Sequence, residues 1–246
     1  MSRRSARQQE RRRSRLLSLG LLTSFLLLMT AAGIQGMRYL LDPDHFPVRT
    51  VRIENRFHHL DRDALQRTLG AAVDGGFFGV DLERVRQAAL SLPWVARASV
   101  RRVWPDRLVV EVEEQVPVAH WNDRGLVTAG GTVFYPEKPV KLRLGLHFRG
   151  PENKAAEMLA FYGRVAPGLA ARGLRIREVK LDRRGEWQFR MHDGATLMVG
   201  REQKEFRIER LLGVFAVLAE SERQIERIDL RYEQGFAVRW RPREKS

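Results

Sequence analysis

Residues 75–114 read GGFFGVDLERVRQAALSLPWVARASVRRVWPDRLVVEVEE, and a change of period inside this stretch decides the fold of the first half of the chain. Asp81 is a helix N-cap residue type. After it Leu82, Val85, Ala89 and Leu92 recur at helical spacing, with Arg84, Arg86 and Gln87 off that stripe. Pro93 ends the helix. From Val95 to Val103 the period becomes two, with Ala98 and Val100 on one side and Arg97, Ser99 and Arg101 on the other. Pro105-Asp106 makes a turn. Leu108, Val110 and Val112 then alternate with Val109, Glu111 and Glu113 as a second strand. Upstream, Gly75-Gly76 closes an earlier helix that Asp61 caps and in which Leu65, Leu69 and Ala72 share a face. Before it Val48 to Ile53 alternates, with Val51 and Ile53 inward. The order β-α-α-β-β over residues 46–116 predicts two helices on one face of a three-stranded sheet, with the other face and an outer edge left for partners.

Downstream the pattern shifts to short strands. Val118 to Trp121, Leu126 to Thr128 and Val133 to Tyr135 are separated by Asn122–Gly125 and Gly130-Gly131. Leu142, Leu144 and Leu146 alternate with Arg143, Gly145 and His147, which predicts another strand. Gly150-Pro151-Glu152 opens a helix with Ala155, Met158, Leu159, Tyr162 and Val165 on one face, delimited by Pro167-Gly168 and Gly173. A meander follows (Ile176 to Asp182, Trp187 to Met191, Ala195 to Val199), and Asp193-Gly194 is a hairpin signal. Lys204 to Glu220 is an amphipathic helix with Ile208, Leu211, Leu212, Phe215 and Leu218 inward. Two strands remain, Arg227 to Tyr232 and Phe236 to Trp240, joined by Glu233-Gln234-Gly235. Residues 117–241 therefore read as a mostly antiparallel sheet with two helices, and the fold class is α+β. Residues 242–246 are a short tail.

The chain has 246 residues, a net charge of +14 and no cysteine. Without cysteine there is no disulfide framework, thiol nucleophile or Cys-ligated metal centre. The charge first suggests nucleic acid, but its location points elsewhere. Seven arginines against one glutamate give residues 1–15 a net +6, which leaves +8 for the other 231 residues. Leu16 to Ile34 then runs 19 residues without a charge, close to the length that crosses a bilayer. A buried soluble helix would not be apolar on every face. A cleaved signal peptide, with Thr30 and Ala32 at the cleavage positions, would have a shorter apolar region. The reading is an uncleaved anchor. Arg11, Arg12, Arg13 and Arg15 precede it as topology determinants, and only Arg38 follows closely. The positive-inside rule then puts residues 1–15 in the cytoplasm and residues 35–246 outside it, with 35–45 as a linker marked by Asp42-Pro43-Asp44. The basic tail lacks the interleaved aromatics of a base-stacking surface.

No catalytic pattern emerges. His45, His58, His59, His120, His147 and His192 show no metal-ligand spacing. There is no Gly-x-Ser-x-Gly elbow, phosphate-binding loop or dinucleotide fingerprint.

Several runs are recognisable in order: GGFFGVDL (75–82), LPWV (92–95), ASVRRVWPDRL (98–108) and EQVPVAHWND (114–123), followed by Gly150-Pro151-Glu152, Asp229-Leu230-Arg231-Tyr232, Gly235 and Ala237-Val238-Arg239-Trp240. Together they resemble the FtsQ/DivIB family of bitopic bacterial cell-division proteins. The resemblance implies a POTRA domain over 46–116 and the family's β domain over 117–241. It implies a non-catalytic divisome scaffold, single-pass type II in the inner membrane, with its domains in the periplasm at the septum. FtsB and FtsL are the implied partners, and no cofactor, metal, nucleic acid or small-molecule substrate is implied. FtsB would add a strand along the last hairpin, which assigns Arg231, Tyr232, Gly235, Phe236, Ala237, Val238 and Trp240 to the contact. Gly235 would permit the tight turn, and Arg231 would pair with a partner carboxylate. Asn153-Lys154, Glu233-Gln234, Phe236 and Arg239 depart from the family pattern. From the residues alone, Tyr232 and Trp240 serve equally as packing residues or as interface residues; the resemblance favours the interface. Arg101 and Val103 are the assigned contacts on the POTRA surface. Trp94 plugs the end of the core, Trp104 anchors its turn, and Trp121 packs where the first module meets the second. The competing reading is a POTRA-bearing envelope adaptor or chaperone-like protein not dedicated to division.

Overall fold

The structure is a computed structural model that describes residues 3–242 apart from 56, 139, 141 and 222, with residues 3–20 and 219 described by backbone alone. The chain divides into two compact units, Met1–Glu114 and Gln115–Ser246.

The first unit begins with α1 (Arg3–Leu41), in which Leu21–Leu41 is long and apolar enough to cross a membrane. Every side chain from Leu21 to Leu41 is exposed, as suits a helix whose surroundings are lipid. The helix continues through the first seven residues of the segment read as a linker. The side chains of Arg11, Arg12, Arg13 and Arg15 lie outside the described residues, as do residues 243–246 of the C-terminal tail.

Next come β1 (Thr50–Glu54), α2 (Arg62–Ala72), α3 (Leu82–Leu90), β2 (Val95–Val103) and β3 (Arg107–Glu114). The sheet order is β1-β3-β2, with β1 parallel and β2 antiparallel to β3. The caps are those the sequence predicts. Asp61 Oδ1 accepts from the N–H of Asp63 at 3.0 Å, and Asp81 Oδ1 from that of Glu83 at 2.9 Å. Leu65, Leu69, Val85 and Ala89 on the helices and Leu108, Val110 and Val112 on β3 are all buried. Glu114 ties the loop before α2 to the end of β3. Its carboxylate accepts from the backbone N–H of His58 (2.9 Å), His59 (2.8 Å) and Leu60. Burial raises its pKa, but these donors outweigh burial and hold the carboxyl below its ordinary range.

Trp94 is buried and stacks on His59, as a plug should. Trp104 corrects the expectation of an aromatic anchor, since its ring is 76% exposed. Backbone ties the turn down instead: Asp106 O accepts from the N–H of Arg49 and Thr50 at 2.9 and 3.4 Å. The indole, not needed for that, is left outside.

The second unit contains β4 (Pro117–Trp121), β5 (Gly125–Thr128), β6 (Val133–Phe134), β7 (His147–Arg149), a 3₁₀ turn (Glu152–Lys154), α4 (Ala155–Ala170), β8 (Ile176–Leu181), β9 (Trp187–Met191), β10 (Thr196–Gly200), α5 (Lys204–Ala219), β11 (Ile225–Asp229) and β12 (Ala237–Trp240). They form a nine-stranded sheet in the order β12-β11-β10-β9-β8-β7-β4-β5-β6. Five pairings are antiparallel; β4–β7, β7–β8 and β10–β11 are parallel. Both helices and the inward strand residues share one core, which includes Phe148, Phe161, Trp187, Phe189, Leu197, Leu211 and Ile228. Trp121 lies in this core, 0% exposed and stacked on Phe148.

Three local expectations are corrected. Leu142 to Leu146 alternate in exposure but are not a strand; pairing begins at His147, because β4 offers only His120 and Trp121 as partners there. On α4 it is Phe161 that is buried, while Leu159 and Tyr162 pack at the margin. Pro167 does not end α4, which runs to Ala170. The stop comes at Gly173, with φ +82, where Gly173 N–H donates to Ala170 O and Leu174 N–H to Leu169 O in a Schellman-type cap.

Candidate partner-binding edge

β12 is the last strand of the nine-stranded order and, among the described residues, pairs only with β11. Its other side carries backbone N–H and C=O groups with no strand partner among the described residues, the feature another chain can complete. Ala237 and Arg239 are exposed, and Val238 and Trp240 are half-buried. Trp240 has the Arg223 guanidinium 5.8 Å from its ring centroid.

The connection into β12 is longer than expected. β11 ends at Asp229 rather than Tyr232, so residues 230–236 form an irregular loop. Its carbonyls need donors, and a single residue supplies most of them. Arg210 of α5 donates to the carbonyl oxygens of Glu233 (2.7 Å), Tyr232 (3.0 Å) and Gly235 (2.6 Å), with Leu230 O at 3.5 Å. Leu230 is buried, its N–H bonded to Met198 O. Phe236 packs against the core. Between these two plugs Tyr232 projects outward, 58% exposed. The sequence reading missed Arg210, because nothing in its spacing on α5 separates it from the other arginines of the chain.

Two expected roles change. Gly235 is not in the left-handed region, and a Cβ there would meet nothing within 4 Å, so the loop does not need a glycine at that position. Arg231 is not a free cation. It grips Asp229 bidentately (Nε–Oδ1 2.9 Å, Nη2–Oδ2 2.7 Å) and lies 3.8 Å from Glu186. That hydrogen-bonded pair holds the Asp229 carboxyl below its ordinary range and raises the guanidinium further. Arg231 fixes the end of β11.

The first unit has a comparable edge in β2, nine residues long and, among the described residues, paired only with β3. Arg101 lies on its exposed face, 3.6 Å from Glu111 and 3.8 Å from Glu54, so it spans all three strands. Val103 is half-buried at the strand end. Among the described residues no group of three or more His, Asp or Glu is placed to hold a metal ion.

Residues 46–115 match the POTRA domain of FtsQ type, and residues 119–231 match the C-terminal region of the cell division protein FtsQ/DivIB. β12 lies beyond the second match, so its description rests on geometry. The chain is 37% identical over 220 residues to the cell division protein FtsQ of Allochromatium vinosum, covering 88% of this chain and 86% of that protein. It is 37% identical over 204 residues to FtsQ of Shewanella oneidensis (82% and 78%), and 34% identical over 200 residues to FtsQ of Alcanivorax borkumensis (80% and 78%). With both folded units matched and relatives this similar along most of its length, the chain belongs to the FtsQ/DivIB family of cell-division proteins.

Proposed function

We propose that this chain is a non-catalytic scaffold of the divisome, and that β12 receives an added strand from FtsB, with FtsL in the same assembly. The observation that supports this reading is the free side of β12 at the end of a nine-stranded sheet. Strand addition there gives affinity through main-chain hydrogen bonds, and alternate side chains give specificity. Ala237 and Val238 offer backbone. Tyr232 and Trp240 are residue types that dominate interface energetics. Phe236 and Arg231 hold the ends of the loop, and Gly235 is a stretch of backbone that a partner can approach. Arg101 and Val103 on the β2 edge provide a second contact.

In the cell, residues 1–15 lie in the cytoplasm under the control of Arg11, Arg12, Arg13 and Arg15. Residues 16–34 span the inner membrane. After a linker over 35–45, the POTRA domain (46–116) and the β domain (117–241, with the tail 242–246) stand in the periplasm at the septum. There the protein joins early to late division proteins that build septal peptidoglycan.

The test replaces exposed Tyr232 and half-buried Trp240. Tyr232→Ala with Trp240→Ala weakens FtsB binding at least tenfold while the circular dichroism spectrum stays that of the parent. Unchanged affinity rejects the edge.

A further inference from the structure

Arg190 on β9, Thr196 on β10, Arg227 on β11 and Arg239 on β12 stand on one register row. Their strand neighbours Phe189, Leu197 and Ile228 are core residues, so the row lies on the face turned away from α4 and α5. All three arginines are exposed. Among the described residues none of the three makes a hydrogen bond or ion pair. Of the acids nearby, Asp229 is gripped by Arg231, Glu178, opposite Arg190, is 3.7 Å from Arg149, and Glu226, in the register shift beside Arg227, forms no ion pair with Arg227 or Arg239 among the described residues. Arg227 and Arg239 face each other directly across β11 and β12. Like charges in that position cost stability.

The row ends at the free strand. A chain added to β12 brings one residue directly opposite Arg239 on the same face, with Cβ atoms about 5 Å apart. A carboxylate there meets Arg239 at once, and a long acidic side chain also comes within reach of Arg227. It turns an opposed pair of cations into an alternating set. We propose that the segment added at β12 is acidic on this face: an extended peptide with a Glu or Asp opposite Arg239, selected by Arg227 and Arg239 with Arg190 extending the positive row. This inference rests on the strand-addition reading above and supplies the chemistry of the partner. A basic or neutral strand would pair with the same backbone but leave the opposed cations uncompensated.

The test uses the full chain in detergent micelles and four labelled 12-residue peptides of alternating Val and X, read by fluorescence anisotropy. X is Glu, Gln or Lys, and the fourth peptide is the Glu form with alternate backbone amides N-methylated on its pairing edge. An exposed ion pair is worth up to about 1 kcal/mol, which is about fivefold in affinity. The Glu peptide therefore binds about five- to tenfold tighter than the Gln peptide at low salt, and the Lys peptide binds weakest. The preference fades above about 0.5 M salt, where the screening length falls to a few ångströms. Arg227→Gln with Arg239→Gln, both at exposed positions, removes the Glu preference and keeps the Gln affinity. The N-methylated peptide fails to bind. Equal binding of the Glu, Gln and Lys peptides, or a preference for Lys, overturns the acidic inference and leaves strand addition standing. Full binding by the N-methylated peptide overturns strand addition itself. No binding by any of the four overturns both.

Discussion

On the three-stranded sheet Arg97 lies opposite Glu113, their charged groups 3.5 Å apart, and Arg101 reaches both Glu111 and Glu54. On the nine-stranded sheet Arg227 lies opposite Arg239, and neither forms an ion pair among the described residues. The same residue type on the same kind of surface is thus balanced within the first unit and unbalanced at one end of the second. Exposed pairs of the first kind add little stability, about 0–1 kcal/mol each. What they supply is a face with its charges already answered. The β12 end offers backbone and charge together, both unanswered among the described residues, and the proposed strand addition rests on this difference.

The comparison is best broken at Arg210. Arg210→Met removes the donor shared by the carbonyls of residues 232, 233 and 235, so the loop into β12 loses its frame. Hydrogen bonds to a charged group are worth about 1.5–3 kcal/mol each, partly recovered by water, so we expect the second unit to lose about 2–3 kcal/mol. Urea unfolding of the full chain, followed by tryptophan fluorescence, measures this. A loss below about 0.5 kcal/mol would show that the loop holds itself.

In the first unit the matching device is Glu114. Its folded-state pKa is depressed, so its contribution is present above the ordinary carboxyl range and is lost as pH falls through the folded value. Glu114→Gln should cost about 1–2 kcal/mol at pH 7, since it removes a charged acceptor for three backbone donors. The parent should approach the variant's stability as the pH is lowered below about 4. A difference that persists unchanged to pH 2 would contradict the assignment. The Asp229–Arg231 pair has the same sign, so acid should also loosen the end of β11.

Smaller effects sharpen the contrast. Arg239→Glu installs on the nine-stranded sheet the cross-strand pair that the first sheet already has. We expect it to raise stability by about 0.2–1 kcal/mol while it reverses the preference for acidic peptides. A fall in stability would mean that Arg227 and Arg239 do not repel. Smallest of all is Trp104→Ala. The ring lies in solvent, so thermal unfolding should shift by no more than about 0.5 kcal/mol; a large loss would restore Trp104 as a structural anchor.

Much of the first unit was legible because its signals are local. Asp61 and Asp81 cap the helices that follow them, Pro93 stops α3, and β2 alternates without a break apart from one irregularity at Val95/Arg97. In the second unit local signals were insufficient. Leu142 to Leu146 carry a strand's alternation, but backbone pairing with β4 is confined to the end of the segment, where His120 N–H donates to Leu146 O. Pro167 falls in the last turn of α4 and does not stop it, and the chain turns only at Gly173. The last two strands were readable as strands. That β12 ends the sheet was not, because strand order depends on contacts between distant segments; the register that sets Arg227 against Arg239 is equally non-local. Arg210 was invisible for the same reason, since its partners lie 22 to 25 residues away.

The central claim is that β12 is the strand a partner completes. Hydrogen exchange of the full chain, alone and bound to co-expressed FtsB and FtsL, tests it at the backbone. We predict that amides within Ala237–Trp240 gain protection on binding by tenfold or more, while those of β6 at the opposite edge do not change. Protection that appears elsewhere and leaves Ala237–Trp240 as open as in the free chain would contradict the account.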